Sequence, residues 1–101
     1  MKVAIPSNDK IKISPTFGDC VGYLIYEIDD HNLVKYEFRL NNNGTSDKEA
    51  SIANLLDDCS SIICNSIEKP IKETLKNLNK QILKTLEEDA KKALINLMCR
   101  V

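Results

Sequence analysis

The chain's most reactive side chains are four cysteines, Cys20, Cys59, Cys64 and Cys99. As thiolates they are soft ligands suited to iron-sulfur units, zinc or copper(I). No two of them form a CxxC pair, so neither a zinc knuckle nor a redox dithiol is written into the spacing. Two stand out by position. Cys64 closes the short apolar run Ser61-Ile62-Ile63-Cys64, which reads as a strand buried on both faces. In open α/β sheets the ligand crevice lies at that carboxyl edge. Cys20 closes the polar loop that leaves the first strand. If the first and fourth strands are parallel neighbours, the two thiols face one crevice, and Cys20 and Cys64 are the metal ligands to expect. The plainer alternative is two separate small core residues, because free cysteine is commonly buried. Cys59 reads as half-buried filler, and Cys99 as packing or surface.

Other chemistry is thin. The sequence has no Walker loop, no GxGxxG and no GxSxG. The single histidine, His31, falls in a turn and reads as a solvent-exposed spacer. Acids cluster at Asp29-Asp30, Asp57-Asp58 and Glu87-Glu88-Asp89. The last group suits the positive end of a helix dipole, and all three read as solvated surface. Nuclease chemistry needs several acids around a divalent metal, and the first loop offers only Asp9 and Asp19.

Positioning these residues falls to elements legible in the periodicity. Lys2-Val3-Ala4-Ile5 predicts a first strand stopped by Pro6, and residues 7–18 a polar loop. Tyr23 to Ile28 is aromatic and β-branched, as strands are. Val34, Tyr36 and Phe38 alternate with Lys35, Glu37 and Arg39, the mark of a strand with one wet face. Asp29-Asp30-His31-Asn32 between them is turn chemistry, so the pair predicts an antiparallel hairpin. Ser46 and Glu49 form a capping box for a first helix to about Leu56, with Ile52, Ala53, Leu55 and Leu56 on its buried side. Pro70 opens a second helix carrying Ile71, Leu75 and Leu78, and Gln81-Ile82-Leu83 is a weak last strand. Thr85 and Glu88 cap a third helix whose inner face is Leu86, Ala90, Ala93, Leu94 and Leu97. The order β-β-β-α-β-α-β-α implies a three-layer α/β fold with helices on both faces of a mixed sheet.

The 101 residues, 43% hydrophobic and 29% charged, describe a single domain over residues 1–101 that can bury a core unaided. Up to Gly44 there are five positive and six negative charges, and after it nine of each. Neither half can grip a phosphate backbone, so no nucleic-acid partner is expected. No run approaches the roughly eighteen apolar residues of a membrane span. Met1 to Pro6 lacks a signal-peptide core, so the expected compartment is the cytoplasm, with reduced thiols.

Three segments carry a resemblance. Lys2-Val3-Ala4-Ile5-Pro6-Ser7, then Ser14-Pro15-Thr16-Phe17-Gly18-Asp19-Cys20, then Tyr23 to Ile28 resemble the dinitrogenase iron-molybdenum cofactor biosynthesis family. The likeness extends in pattern through the helix at Ser46, the strand ending in Cys64 and the turn Asn65-Ser66-Ile67-Glu68. It implies a ribonuclease H-like fold with a five-stranded mixed sheet. It also implies a carrier without turnover, binding an iron-sulfur or iron-molybdenum-type cluster and meeting a cluster-assembly protein, with homo-oligomers open. The equivalent binding surface is Thr16, Phe17, Gly18, Cys20, Cys64, Asn65 and Ser66.

The departures from the family pattern are specific. Thr16 stands where many relatives have histidine or arginine, and Asn41-Asn42-Asn43-Gly44 replaces a histidine- or glycine-rich stretch. The turn Asn65-Ser66-Ile67-Glu68 lacks the usual glycines, which let backbone donors approach an anionic cluster. The competing expectation is therefore an interaction or regulatory domain of the same fold that binds no metal.

Overall fold

The structure, a computed structural model, describes residues 1–41 and 47–99. Its elements are β1 (Lys2–Ser7), β2 (Gly22–Asp29), β3 (Asn32–Leu40), α1 (Lys48–Leu55), β4 (Ser61–Cys64), α2 (Lys69–Asn77), β5 (Gln81–Lys84) and α3 (Ala90–Cys99). The five strands lie in the order β3-β2-β1-β4-β5. β1 pairs antiparallel with β2 and parallel with β4, and β4 pairs parallel with β5. The α/β class, the element order and the five-stranded mixed sheet are as the sequence implies. No helix among the described residues is long and apolar enough to cross a membrane.

Two cores sandwich the sheet. Ala4, Ile25 and Ile62 point to one side and meet Ile52 and Leu56 of the α1 region, Ile71 and Leu75 of α2, and Phe17 and Cys20 of the long loop. Val3, Ile5, Leu24 and Ile63 point the other way and meet Ala90, Ala93 and Leu94 of α3. The alternation along β1 and β4 is the period of two that sends neighbouring side chains to opposite faces. Each fully buried aliphatic side chain contributes about 1.5–3 kcal/mol.

Local chemistry explains the element ends. The β2–β3 turn puts Asp30 (φ 52°) and His31 (φ 66°) in the left-handed region, the two-residue turn whose twist suits a hairpin. Asn79 (φ 64°) ends α2, where Lys80 N–H donates to Leu75 O at 3.1 Å and Asn79 N–H to Lys76 O at 2.9 Å. That is the left-handed cap in which asparagine replaces glycine. Lys80 then turns inward and its Nζ donates to Cys59 O (2.6 Å) and Asp57 O (3.1 Å), closing the carbonyls below α1.

Several expectations need correction. β1 runs through Pro6 to Ser7, because its pairing with β4 ends at Ala4 and the missing N–H costs no ladder bond there. Of the first capping box, Ser46 lies outside the described residues; the helix is capped by Asp47, whose side chain accepts from Ala50 N–H at 3.1 Å. Leu78 is a half-exposed C-cap rather than a core residue. Cys59 is buried outright. The largest difference is α3, which starts at Ala90 and not at Thr85. Asn65 Nδ2 donates to Thr85 O and Glu87 O at 2.9 Å each, and Ile13 N–H to Glu88 O at 2.7 Å. Those bonds keep residues 85–89 out of the helix, so Asp89 becomes the cap, accepting from Lys92 N–H, and Leu86 is left 98% exposed.

Candidate functional site

Parallel pairing of β1 and β4 brings the loop after β1 and the turn after β4 to one edge of the sheet. The loop is built from its own polar residues. Asp9 Oδ1 accepts from the N–H groups of Ile11 (2.9 Å) and Lys12 (2.8 Å), and these bonds hold its carboxyl below the usual range. Asp9 closes a turn. Asn8 clamps the loop's two ends, accepting from Val21 N–H at 2.9 Å and donating to Ser14 Oγ at 3.3 Å.

The segment Phe17–Cys20 is fixed more tightly. Tyr23 Oη donates to Phe17 O at 2.7 Å, and its ring lies 5.2 Å from that of Phe17. Burial, with Cys20 beside it, raises the Tyr23 hydroxyl pKa far above its ordinary value. The Cys20 thiol donates to Phe17 O (3.3 Å) and Gly22 O (3.2 Å). Asn41 Nδ2 donates to Gly18 O and Cys20 O, both at 3.0 Å. With its carbonyls engaged inward, the loop turns the N–H groups of Phe17 and Gly18 toward the β4 turn.

Those two donors converge on one group, the carboxylate of Glu68. Gly18 N–H donates to Oε2 at 3.0 Å and to Oε1 at 3.4 Å, and Phe17 N–H to Oε1 at 3.4 Å. A Cβ at Gly18 would meet Glu68 Oε2 and come within 2.8 Å of Ile71 Cδ1, so a larger residue there requires these side-chain ends to move. Lys48 pairs with Asp19 beside this contact, and Ser66 Oγ donates to Pro15 O at 2.7 Å, tying turn to loop.

The residues expected at the binding surface divide into three groups. Thr16 and Ser66 are exposed at the mouth, and Gly18 supplies a backbone donor while itself buried. Asn65 spends its amide on the carbonyls of Thr85 and Glu87. Phe17, Cys20 and Cys64 share one core cluster on the same side of the sheet, all at zero exposure. Desolvation raises the Cys20 thiol, and pushes Cys64 up to about 11 although Lys84 and Lys72 pull it down. Neither sulfur meets solvent. Among the described residues no group of three or more His, Cys, Asp or Glu side chains converges as a metal site.

Sequence reasoning missed Glu68, Tyr23, Asn8 and Asn41. Glu68 alone left a signal, as the acidic residue in a turn that relatives fill with glycine. Beside that turn a cleft of about 380 Å³ is lined by Ile67, Glu73 and four lysines, Lys69, Lys72, Lys76 and Lys84. The arrangement presents backbone donors and ammonium groups around one turn, a setting for an anion.

No protein of curated function matches the sequence. Among solved structures, a Methanocaldococcus jannaschii protein provisionally named a dinitrogenase is 26% identical. It superposes with a TM-score of 0.81, over 99% of this chain and 89% of the other. The apo form of the orange protein from Desulfovibrio gigas has the same fold, with a TM-score of 0.82 at 13% identity over 98% and 88% of the two chains. The dinitrogenase iron-molybdenum cofactor profile matches residues 1–98, which include the Phe17-Gly18 loop, the Cys64 strand and the lysine-lined cleft. The chain belongs to the dinitrogenase iron-molybdenum cofactor family.

Proposed function

We propose that the protein is a non-catalytic carrier that holds an anionic iron-sulfur or iron-molybdenum-type cluster, as cargo, at the mouth formed by the Phe17-Gly18 loop and the turn after Cys64. Thr16, Gly18 and Ser66 rim that mouth, and a cluster-assembly protein in the cytoplasm is the partner that loads or receives the cargo. One observation carries the reading: the N–H groups of Phe17 and Gly18 converge on a single anionic group. Glu68 fills that place in the free protein, and an incoming anion takes it by displacing an exposed side chain. The four lysines of the cleft beside Ile67, offset by Glu73 alone in its lining, add positive potential. Attachment of this kind is weak and reversible, as hand-over requires. Ligation by Cys20 or Cys64 needs local opening first, because both residues are fully buried in one core cluster with Phe17.

The test is anaerobic reconstitution with iron and sulfide, followed by desalting, metal analysis and visible absorption. The expected result is retained colour, increased in Glu68→Gln, which removes the competing charge, and reduced when Lys69 and Lys72 are both replaced by glutamine. A protein that stays colourless in all three forms overturns the carrier reading. The second reading is an interaction domain without metal. The occupied amide pair favours it, and it predicts that colourless outcome.

A further inference from the structure

β3 is the outer strand at one end of the sheet, and its free edge is self-complementary. Ile28 N–H donates to Met1 O at 2.8 Å, and the Met1 amine donates to Ile28 O at 2.9 Å. Even-numbered residues of β2 therefore turn their backbone groups to β1, and odd-numbered ones to β3. Tyr36 lies opposite Tyr26 and Phe38 opposite Leu24, so the N–H and C=O of Tyr36 and Phe38 point away from the sheet. Asn41 agrees from the other side, its odd-numbered N–H reaching Val21 O at 2.9 Å.

The side chains along this edge are unusual for one that faces water. Leu33, Val34, Tyr36 and Leu40 are all exposed, Tyr36 at 68%. Leu33 and Tyr36, with Leu24, Tyr26 and Phe38, line a groove of about 560 Å³ that Lys10, Asp89 and Lys91 also border, the last two at the start of α3. Exposed apolar edges are templates for pairing unless charge or proline blocks them. The opposite face of β3 carries Lys35, Glu37 and Arg39.

We propose that the occupant of this edge is a second copy of the chain, paired antiparallel through β3 about a two-fold axis at Tyr36. This goes beyond the carrier reading and does not depend on it. Charge selects the axis. Centring on Lys35 sets two lysines face to face. Centring on Glu37 opposes two glutamates and sets Lys35 against Arg39. Centring on Phe38 pairs Glu37 with Arg39, whose guanidinium is already held by Asp58, Glu37 and Leu55 O. Centring on Tyr36 sets Lys35 of each protomer against Glu37 of the other, twice. Lys35 has no ion pair among the described residues, and both Arg39 bonds to Glu37 use Oε1 alone. The ladder joins Tyr36 to its own copy and Val34 to Phe38, and stops at the bulge where Val34 is the extra residue. The sheet becomes ten-stranded, with a Tyr36 pair between the two grooves.

Sedimentation at increasing concentration tests this. The expected species has twice the 11.4 kDa protomer mass. Lys35→Glu and Glu37→Lys, each alone, place like charges opposite and shift the protein to protomer mass at that concentration. Mixed in equal amounts, they restore the doubled mass, because each supplies the charge the other lacks. Tyr36→Pro removes an outward N–H and no bond to β2, and it too sediments as a protomer. A wild type that remains at protomer mass up to about millimolar concentration overturns the proposal. So do single charge variants that dimerise like the wild type, or a mixture that does not.

Discussion

The two faces of the sheet are finished differently. On one, α1, α2 and the Phe17–Cys20 segment roof the strands, and Phe17, Cys20, Tyr23, Ile52, Leu56, Ile62, Cys64 and Leu75 have no exposure at all. On the other, α3 is the only helix among the described residues, and the apolar side of the β2–β3 hairpin stays open as the groove beside Tyr36. A closed face meets ligands only at its rim, where the loop's backbone donors emerge. An open face offers side chains and a strand edge directly. The proposed carrier site and the proposed dimer edge thus fall on different parts of one sheet for a single reason, the placing of two helices against one.

The comparison is broken most sharply by thiol chemistry. Cys20, Cys59 and Cys64 belong to the closed face, with Cys59 and Cys64 pushed up to about 11 by burial, while Cys99 lies exposed on α3. At pH 8 a soluble alkylating reagent is expected to modify Cys99 at once, and the other three slower by about a thousandfold or more, since they wait for opening. Timed mass spectrometry reads this. Equal rates at Cys99 and Cys64 contradict a closed face.

Next comes stability. Phe17→Ala is expected to cost about 3–5 kcal/mol, because it empties a fully buried site, whereas Tyr36→Ala on the open face costs about 0.5–1.5 kcal/mol in the protomer, through its ring contact with Tyr26. Urea unfolding at micromolar concentration compares them; similar losses at both sites remove the distinction.

A smaller effect comes from the ion cluster that binds the hairpin to α1. Arg39 holds Asp58 through two bonds, 2.7 and 2.8 Å, and Lys2 adds a third at 2.8 Å. These partners hold the Asp58 carboxyl well below the usual carboxylate range. The folded protein therefore binds that proton more weakly than the unfolded chain. The stabilisation is fully present above about pH 4 and lost as pH falls below it. Asp58→Asn flattens this acid limb in urea titrations between pH 7 and pH 2. An unchanged slope in the variant assigns the acid sensitivity to other carboxylates. The pair is partly exposed, so its contribution is well below that of Phe17.

Least affected is Leu86. At 98% exposure, Leu86→Ser is expected to change stability by less than about 0.5 kcal/mol, although its spacing places it on the inner face of α3. A loss of 2 kcal/mol or more by thermal unfolding restores the earlier helix start.

Leu86 also marks where sequence patterning fails. Thr85 and Glu88 satisfy the capping rule locally, but Asn65, Ile13 and Ile11 take the backbone of residues 85–90 from a distance. The strands β2, β3 and β4 were readable because alternation and β-branching repeat within each segment. Glu68 was readable only as an exception to a family pattern, since the donors it meets lie 50 and 51 residues away.

By itself the sequence determined the α/β class, the order of the elements and the hairpin, because periodicity and turn chemistry act within a few residues. It also placed the Phe17-Gly18 loop and Cys64 at one sheet edge, since parallel pairing follows from the alternation of strand and helix. Only the tertiary structure decided that Cys20, Cys59 and Cys64 face inward, that Glu68 fills the amide pair and that α3 begins at Ala90. Each of those outcomes is a competition between distant groups for one buried volume or one donor, and no local pattern encodes which group wins.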